Sequence, residues 1–399
     1  MVFMNDNFCK APFTALEITP TGDTRICCKM PATSICKPDG TKYRVNEDGI
    51  SKIWKSEWLL AFRQRFLNGE RPIECKMCWD DEAAGITSYR KQLAHKDVNV
   101  ENPNLRMLVL KLSNKCNCAC RICSVFLSSL WQIELTKSNR WDPNTFREFN
   151  EENAKDKITG DNWGEWKTYL HEIDTLFIYG GEPLINAEVL QILDYVVDNN
   201  LSKNIMLVLN TNATIINNKI SNTFVQFKEV YLHYSIDDIG ARYEYERWPA
   251  KFPNIMRDLD KLHSTYERTN VKISFYLTIS IFNVLHLNEI LIEFNKFPKF
   301  KINFDNIIHD PALLSLYSLP EPIKIKVKES LNLVNWEQYW DGSADHKNII
   351  SNFLDLYRSN YTTSQYIEQL DKLLSIDDLR RKQDWRTTFS ELYALLINN

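Results

Sequence analysis

The sequence predicts an α/β fold, a partial (β/α)6 TIM-like barrel with a small N-terminal cysteine-rich domain and a C-terminal helical extension. Three observations carry this expectation. From Leu105 onward short apolar runs alternate with helical stretches, the six cysteines outside a central motif all fall within residues 1–100, and the chain beyond Pro311 reads as helix. The boundaries drawn from these changes of pattern are 1–104, 105–310 and 311–399.

In the first segment Leu16–Thr19 alternates like a strand, and Thr24–Ile26 is placed to pair with it as a hairpin. Pro20-Thr21-Gly22-Asp23 and Pro38-Asp39-Gly40 have turn chemistry. A helix is expected from about Ser51 to Leu67, with Ile53, Trp54, Trp58, Leu59, Phe62 and Phe66 on one broad face. So little regular structure in about a hundred residues calls for a staple.

In the second segment the apolar runs are Met107–Leu112, Thr175–Tyr179, Ile205–Leu209, Glu229–Ser235, Lys272–Thr278 and Lys301–Phe304. Helical stretches such as Glu188–Val197 and Leu287–Phe294 lie between them. Six strands alternating with helices give a parallel sheet with right-handed crossovers, whose chemistry sits at the carboxyl ends of the strands. The polar stretch from Ser138 to Gly164 reads as an insertion or mobile lid in the first crossover. In the last segment Ser375-Ile376-Asp377-Asp378 reads as a capped helix start, and Trp385 and Phe389 as core.

Composition excludes some functions. The chain has 399 residues and a formal charge of −4, so no global basic field favours nucleic acid or an acidic membrane. No apolar run reaches the length of a membrane span, and the opening residues lack a basic leader and an apolar core, so a cytoplasmic location is expected. Thiols stay reduced there, and ten cysteines, eight of them grouped at 27–28, 75–78 and 116–123, then point to metal.

The central group reads Lys111-Leu112-Ser113-Asn114-Lys115-Cys116-Asn117-Cys118-Ala119-Cys120-Arg121-Ile122-Cys123. The spacing Cys-x-x-x-Cys-x-x-Cys offers three thiolates from one loop, and three ligands on a four-iron cluster leave one iron open for a chelating partner. A zinc site taking Cys118 as fourth ligand is the competing reading. One strand later stands Gly180-Gly181-Glu182-Pro183. Only 11 residues of the chain are glycine, so an adjacent pair at a strand end is notable. Glycine there admits unusual backbone angles and close approach to a ligand.

Together these two motifs resemble the signature of the radical S-adenosylmethionine (SAM) superfamily, over a span from about Leu105 to Phe304. The resemblance implies that Cys116, Cys120 and Cys123 hold a 4Fe–4S cluster and that Gly180, Gly181 and Glu182 meet the methionine amino group of SAM. It also implies contacts to SAM from Ser235 and Asp237 in His233-Tyr234-Ser235-Ile236-Asp237 and from Arg247, with Asn210 and Asn212 as further lining. Ile122 departs from the aromatic residue often found before the third cysteine, and Cys118 has no assigned role. At the amino end, Cys9-x12-Gly22-x4-Cys27 followed by Cys75-x-x-Cys78 resembles the first half of the SPASM motif, a twitch-type domain, here preceding the barrel rather than following it. That implies one auxiliary 4Fe–4S cluster on Cys9, Cys27, Cys75 and Cys78. Cys28 is an alternative to Cys27, Cys36 is a further candidate, and structural zinc is the competing occupant.

The resemblance implies reductive cleavage of SAM to a 5′-deoxyadenosyl radical that abstracts hydrogen from a substrate. It also implies an electron donor such as flavodoxin or ferredoxin and, as substrate, a peptide or protein side chain. Two alternatives stand beside it. One is a radical enzyme acting on RNA or a small molecule, with Arg63, Arg65, Lys76 and Arg90 as a local basic patch; the other is a zinc-bound scaffold with a degenerate barrel.

Overall fold

The computed structural model of the chain describes residues 6–30, 33–83, 87–93, 98–140, 142, 144, 146–266, 269–297, 300–336, 346–356 and 358–398. Its eight strands are β1 (Ala15–Ile18), β2 (Thr24–Arg25), β3 (Met107–Leu110), β4 (Thr175–Ile178), β5 (Met206–Thr211), β6 (Glu229–Ser235), β7 (Val271–Ile279) and β8 (Lys301–Ile307). Hydrogen bonding orders them β2-β1-β3-β4-β5-β6-β7-β8. Strands β3 to β8 are the six expected from the apolar runs, and the order is open-ended, as a partial barrel requires.

The chain packs as two compact units, 1–115 with 142–209 and 217–230, and 116–141 with 210–216 and 231–399. In the first, β3 pairs parallel with β4, and β4 with β5, with Leu110 opposite Ile178 and Ile178 opposite Leu209. The β3 sequence Met-Leu-Val-Leu is buried at every position, as a parallel strand covered on both faces must be. The N-terminal hairpin joins this sheet: β1 runs parallel to β3 with Ile18 opposite Leu110, and β2 returns antiparallel outside it. In the second unit β7 pairs parallel with β8 through a register shift near Tyr276 and Thr278. The C-terminal helices Glu321–Leu333, His346–Leu356, Thr363–Arg381 and Ser390–Ile397 belong to this unit.

Three elements differ from expectation. The helix expected over 51–67 is two helices, Ile50–Trp54 and Glu57–Leu67. Ser56 divides them because its hydroxyl accepts from Leu59 N at 3.3 Å, an N-cap that starts a new helix. The Glu165 carboxylate caps the first helix from the crossover, accepting from Ile50 N at 3.0 Å and Ser51 N at 2.6 Å. Within the expected lid, Arg147–Ala154 is helical. Asn153 on that helix exchanges two side-chain hydrogen bonds with Asn114, at 3.1 and 2.8 Å, so its side chain is anchored to the segment before the central cysteines.

The third difference is at Ser375, which is interior to the helix Thr363–Arg381. That helix starts instead at Thr362, in a capping box with Gln365. Asp377 and Asp378 are both buried, for a reason that becomes clear at the central loop. Trp385 and Phe389 are core, as expected.

One polar pair fastens the added hairpin to the sheet. Tyr179, just past β4, donates its hydroxyl to Glu17 Oε1 on β1 at 2.6 Å; Glu17 is buried and Tyr179 half-buried. Burial and the adjoining carboxylate push the Tyr179 phenol far above its ordinary value. Glu17→Ala leaves that hydroxyl unsatisfied and should cost about 1–3 kcal/mol in urea unfolding. Unchanged stability would show that the pair does not hold the hairpin.

Candidate metal centres

Cys9, Cys27, Cys75 and Cys78 line one cavity, together with Lys29, Met30, Tyr89 and Arg90. Cys9 precedes the short helix Ala11–Thr14, Cys27 follows β2, and Cys75 and Cys78 sit where a 3-10 turn runs into the helix Lys76–Ala83. Cys9 and Cys27 thus flank the segment that holds the β1–β2 hairpin, and Cys75 and Cys78 come from one turn and the helix it runs into. Burial pushes Cys9 and Cys75 up to about 12 and raises Cys27 and Cys78, and neighbouring thiols add to the push. Four such groups stay protonated at neutral pH unless a cation joins them. Among the described residues no three His, Cys, Asp or Glu side chains are grouped to hold one metal ion.

Cys28 and Cys36 do not line this cavity. Cys28 is pushed up to about 11 by burial and by Glu17, and Cys36 donates to Ser34 O at 3.3 Å. Tyr89 escaped the sequence reading because nothing in its spacing marks it, and Arg90 was read there only as part of a basic patch. Arg90 is held by Glu82 and donates to Phe8 O at 3.0 Å, one residue before Cys9.

The basic patch proposed from sequence does not form. Arg63 is buried and spends its guanidinium on Pro12 O and Trp54 O. Arg65 pairs with Glu74 at 2.8 Å, Lys76 with Asp80, and Arg90 with Glu82.

The central loop after β3 has no regular structure, and neighbouring groups fix its backbone. Cys116 N donates to Ser129 Oγ at 3.1 Å, Ser128 Oγ donates to Cys118 O at 2.6 Å, and Trp131 Nε1 donates to Cys120 O at 2.6 Å. These three residues stand at the start of the helix Ser129–Lys137, with Ser128 as its N-cap. From the other side Ala119 N donates to Trp248 O at 2.8 Å and Arg121 N to Glu246 O at 2.7 Å. Cys116 and Cys120 electrostatically raise Cys123, whose thiol burial lifts to about 12, so the three thiols lie within one another's field.

Cys118 has a distinct place. Its thiol is hydrogen-bonded to Cys120, which lowers Cys120 and strongly raises Cys118. Asn212 reaches the same group, with Nδ2 3.5 Å from Cys118 Sγ, 3.9 Å from Cys116 Sγ and 2.8 Å from Asn117 Oδ1.

Gly180 and Gly181 both have left-handed φ, at +84° and +52°. A Cβ on Gly181 would lie 2.4 Å from Lys115 O, the residue before Cys116, and one on Gly180 would lie 2.3 Å from Lys111 Cγ. Glu182 is buried; its N donates to Lys115 O at 2.8 Å and its carboxylate accepts from Leu184 N at 3.1 Å.

Arg247 and Asp237 form a buried ion pair at 2.7 Å, and Arg247 Nη1 lies 3.9 Å from Cys120 Sγ. Thr278 N donates to the other oxygen of Asp237 at 3.0 Å. Asn210 on β5 meets His233 Nδ1 on β6 at 3.0 Å, and His233 stacks on Tyr276 with ring centroids 4.3 Å apart. Burial lowers His233 to about 4, so it is neutral at pH 7. Ser235 follows two residues later on the same half-buried face.

The model of SPASM, an iron–sulfur cluster-binding domain, matches residues 9–79. These residues thus carry a SPASM-type domain. A curated relative, an uncharacterized protein of Methanocaldococcus jannaschii, is 26% identical over 189 residues. The match covers 45% of this chain and 54%, about half, of that protein. Among solved structures, native anSMEcpe with bound AdoMet is 17% identical, with a TM-score of 0.40, and the likeness covers 64% of this chain and 62% of that one. Streptococcus suis SuiB bound to S-adenosylmethionine is 14% identical, with a TM-score of 0.37, over 82% of this chain and 69% of that one. Among the described residues no helix is long and apolar enough to cross a membrane.

Two outcomes follow from this geometry. Gly181→Ala forces the Lys115 carbonyl to move and a left-handed angle onto alanine, so it should cost upwards of about 1–3 kcal/mol, read as a fall in melting temperature. A variant as stable as wild type would refute the close approach. Because the four N-terminal thiols are protonated at pH 8, loading their cavity should release about one proton per ligand, measured in a pH-stat. No release would mean the thiols do not ligate.

Proposed function

We propose that the chain is a radical SAM enzyme with two 4Fe–4S clusters, one on Cys116, Cys120 and Cys123 and an auxiliary one on Cys9, Cys27, Cys75 and Cys78. The observation that carries this reading is that Cys116, Cys120 and Cys123 lie within one another's field in one loop. Three thiols from one loop leave one iron of a four-iron cluster open. The SPASM match supports iron at the N-terminal site.

When bound, the three-ligand cluster with SAM on its open iron supplies a 5′-deoxyadenosyl radical for hydrogen abstraction, given an electron from a donor such as flavodoxin or ferredoxin. The chain's own residues prepare that site. In this reading the Gly180–Glu182 backbone receives the methionine amino group, in a turn whose glycines leave room for close approach. Arg247 is kept charged and oriented by Asp237 against Cys120, and Asn212 fixes the loop beside Cys116. Asn210 and Ser235, with neutral His233, present a polar wall to what binds there.

The proposed substrate is a peptide or protein side chain, an inference from the resemblance to the SPASM/twitch group. The paired state of Arg63, Arg65, Lys76 and Arg90 speaks against RNA as substrate. Residues 1–104 serve in this reading as the auxiliary domain, 105–310 as the catalytic barrel and 311–399 as the helical extension.

Iron and acid-labile sulfide counted after anaerobic reconstitution should come to about eight of each per chain. Cys75→Ala/Cys78→Ala should lower the count to about four and keep SAM cleavage to 5′-deoxyadenosine. Cys116→Ala should abolish that cleavage. Iron near zero, or cleavage that survives Cys116→Ala, would overturn the reading, and about four in the wild type would return the N-terminal site to zinc.

A further inference from the structure

The C-terminal helix Thr363–Arg381 grips the central loop at Arg121, between Cys120 and Cys123. Arg121 donates from Nη2 to Asp378 Oδ1 at 2.6 Å and to Gln383 Oε1 at 3.3 Å, and its Nη1 lies 3.5 Å from Asp377. Tyr245 OH and Trp385 N complete the partners of Asp378, at 2.8 and 2.9 Å. This is why the two aspartates are buried and not a helix cap.

One helical turn on, Arg381 is only 8% exposed, and none of its three guanidinium nitrogens has a hydrogen-bond partner among the described residues. Two indoles sandwich it, Trp131 and Trp248, each ring centroid 4.7 Å from its Cζ. Both belong to the loop's fastening: Trp131 donates to Cys120 O, and Trp248 O accepts from Ala119 N. The nearby acids are already engaged. Asp377 pairs with Arg121 and Arg140, Asp378 with Arg121, and Glu134 with Arg380. Among the described residues the guanidiniums of Arg121, Arg140, Arg380 and Arg381 thus face the carboxylates of Asp377, Asp378 and Glu134, the Arg247–Asp237 pair beside them is neutral, and burial raises the neighbouring Glu246 well above the ordinary carboxylate range. One positive charge is left over, on Arg381.

We infer that Arg381 is a positioning residue for the first cluster, a buried cation supplied by the C-terminal helix that favours the cluster's reduced state. The inference rests on the radical SAM reading. The physical reason is simple. Reduction adds a negative charge to the site, and a fixed cation one side chain from the Cys120 carbonyl, in surroundings from which water is excluded, offsets it. A cation–π cage holds a guanidinium in place without the carboxylate that would cancel its charge. Burial and Arg121 lower Arg381 to about 10, and it stays charged at pH 7.

The test is a redox titration of the full, reconstituted chain, following the electron paramagnetic resonance signal that responds to added SAM. Arg381→Gln should lower the ratio of reduced to oxidised cluster at fixed potential by about tenfold, equal to ~59 mV for one electron. Arg381→Lys should restore most of it, and Glu134→Gln, which removes a negative charge, should move the ratio upward. Iron per chain should match wild type in all three. Equal potentials, or shifts of the same sign for Arg381→Gln and Glu134→Gln, would overturn the inference. Should Arg381→Gln fail to hold its cluster, the upward shift of Glu134→Gln and the near-native value of Arg381→Lys decide it alone. A wild type without any SAM-responsive signal would instead sink the radical SAM reading, and this inference with it.

Discussion

A loop without regular structure has to present three thiols in fixed places, and the backbone hydrogen bonds that fasten the segment 113–123 are the constraint on which the rest depends. Such a loop leaves its own N–H and C=O groups unpaired, and each needs a partner if it is to be buried. Here the partners are specific. Ser128, Ser129 and Trp131 take or fill one set, and the carbonyls of Glu246 and Trp248 take another. The carbonyl just before Cys116 accepts from Glu182 N and is approached by Gly181. The glycine pair is therefore a structural need of the cysteine loop, which asks for a backbone with no side chain in the way.

The same logic explains which parts of the molecule were legible in the sequence. Spacing is local, and the features that depend on it could be read: the apolar runs that became β3 to β8, the cysteine loop after β3, the glycine pair after β4, and the four cysteines that line the N-terminal cavity. Partners distant in the chain could not. Ser375-Ile376-Asp377-Asp378 has the residue chemistry of a helix start, but Arg121 lies some 250 positions earlier and claims both carboxylates. The four basic residues between 63 and 90 suggested a patch, but Arg63 is buried against backbone carbonyls and Arg65, Lys76 and Arg90 pair with Glu74, Asp80 and Glu82. Of these pairs only Lys76–Asp80, four residues apart on one helix, follows from periodicity.

The hairpin shows a further limit. Its two short strands were legible as a pair, but not that β1 would lie parallel to β3 and extend the sheet. Parallel pairing needs a long connection, and here that connection is most of the N-terminal segment, Ile18 to Met107. This segment therefore carries two thiol pairs and an edge of the sheet at once. Glu17 on β1 reaches Tyr179 across β3, one residue ahead of the glycine pair. Burial makes that bond hard to dispense with, since either partner left alone would be an unpaired polar group away from water.

Charge is handled differently at the two thiol sites, and the difference bears on what each can do. The N-terminal cavity has Lys29 and Arg90 on its wall, and Arg90 is already paired with Glu82. Its four thiols have to be neutralised mainly by what they bind. Around the central loop the chain supplies cations of its own: Arg247 balanced by Asp237, Arg121 balanced by two aspartates, and Arg381, which has no hydrogen-bonded partner among the described residues. A site that must accept an electron at low potential gains from a fixed positive charge, whereas a site with four ligands and little added charge resists reduction. The C-terminal helix, which has no motif of its own, therefore acts on the central loop through the one property that a four-residue spacing from Asp377 to Arg381 gives it: an acid to grip the loop and a base to charge it.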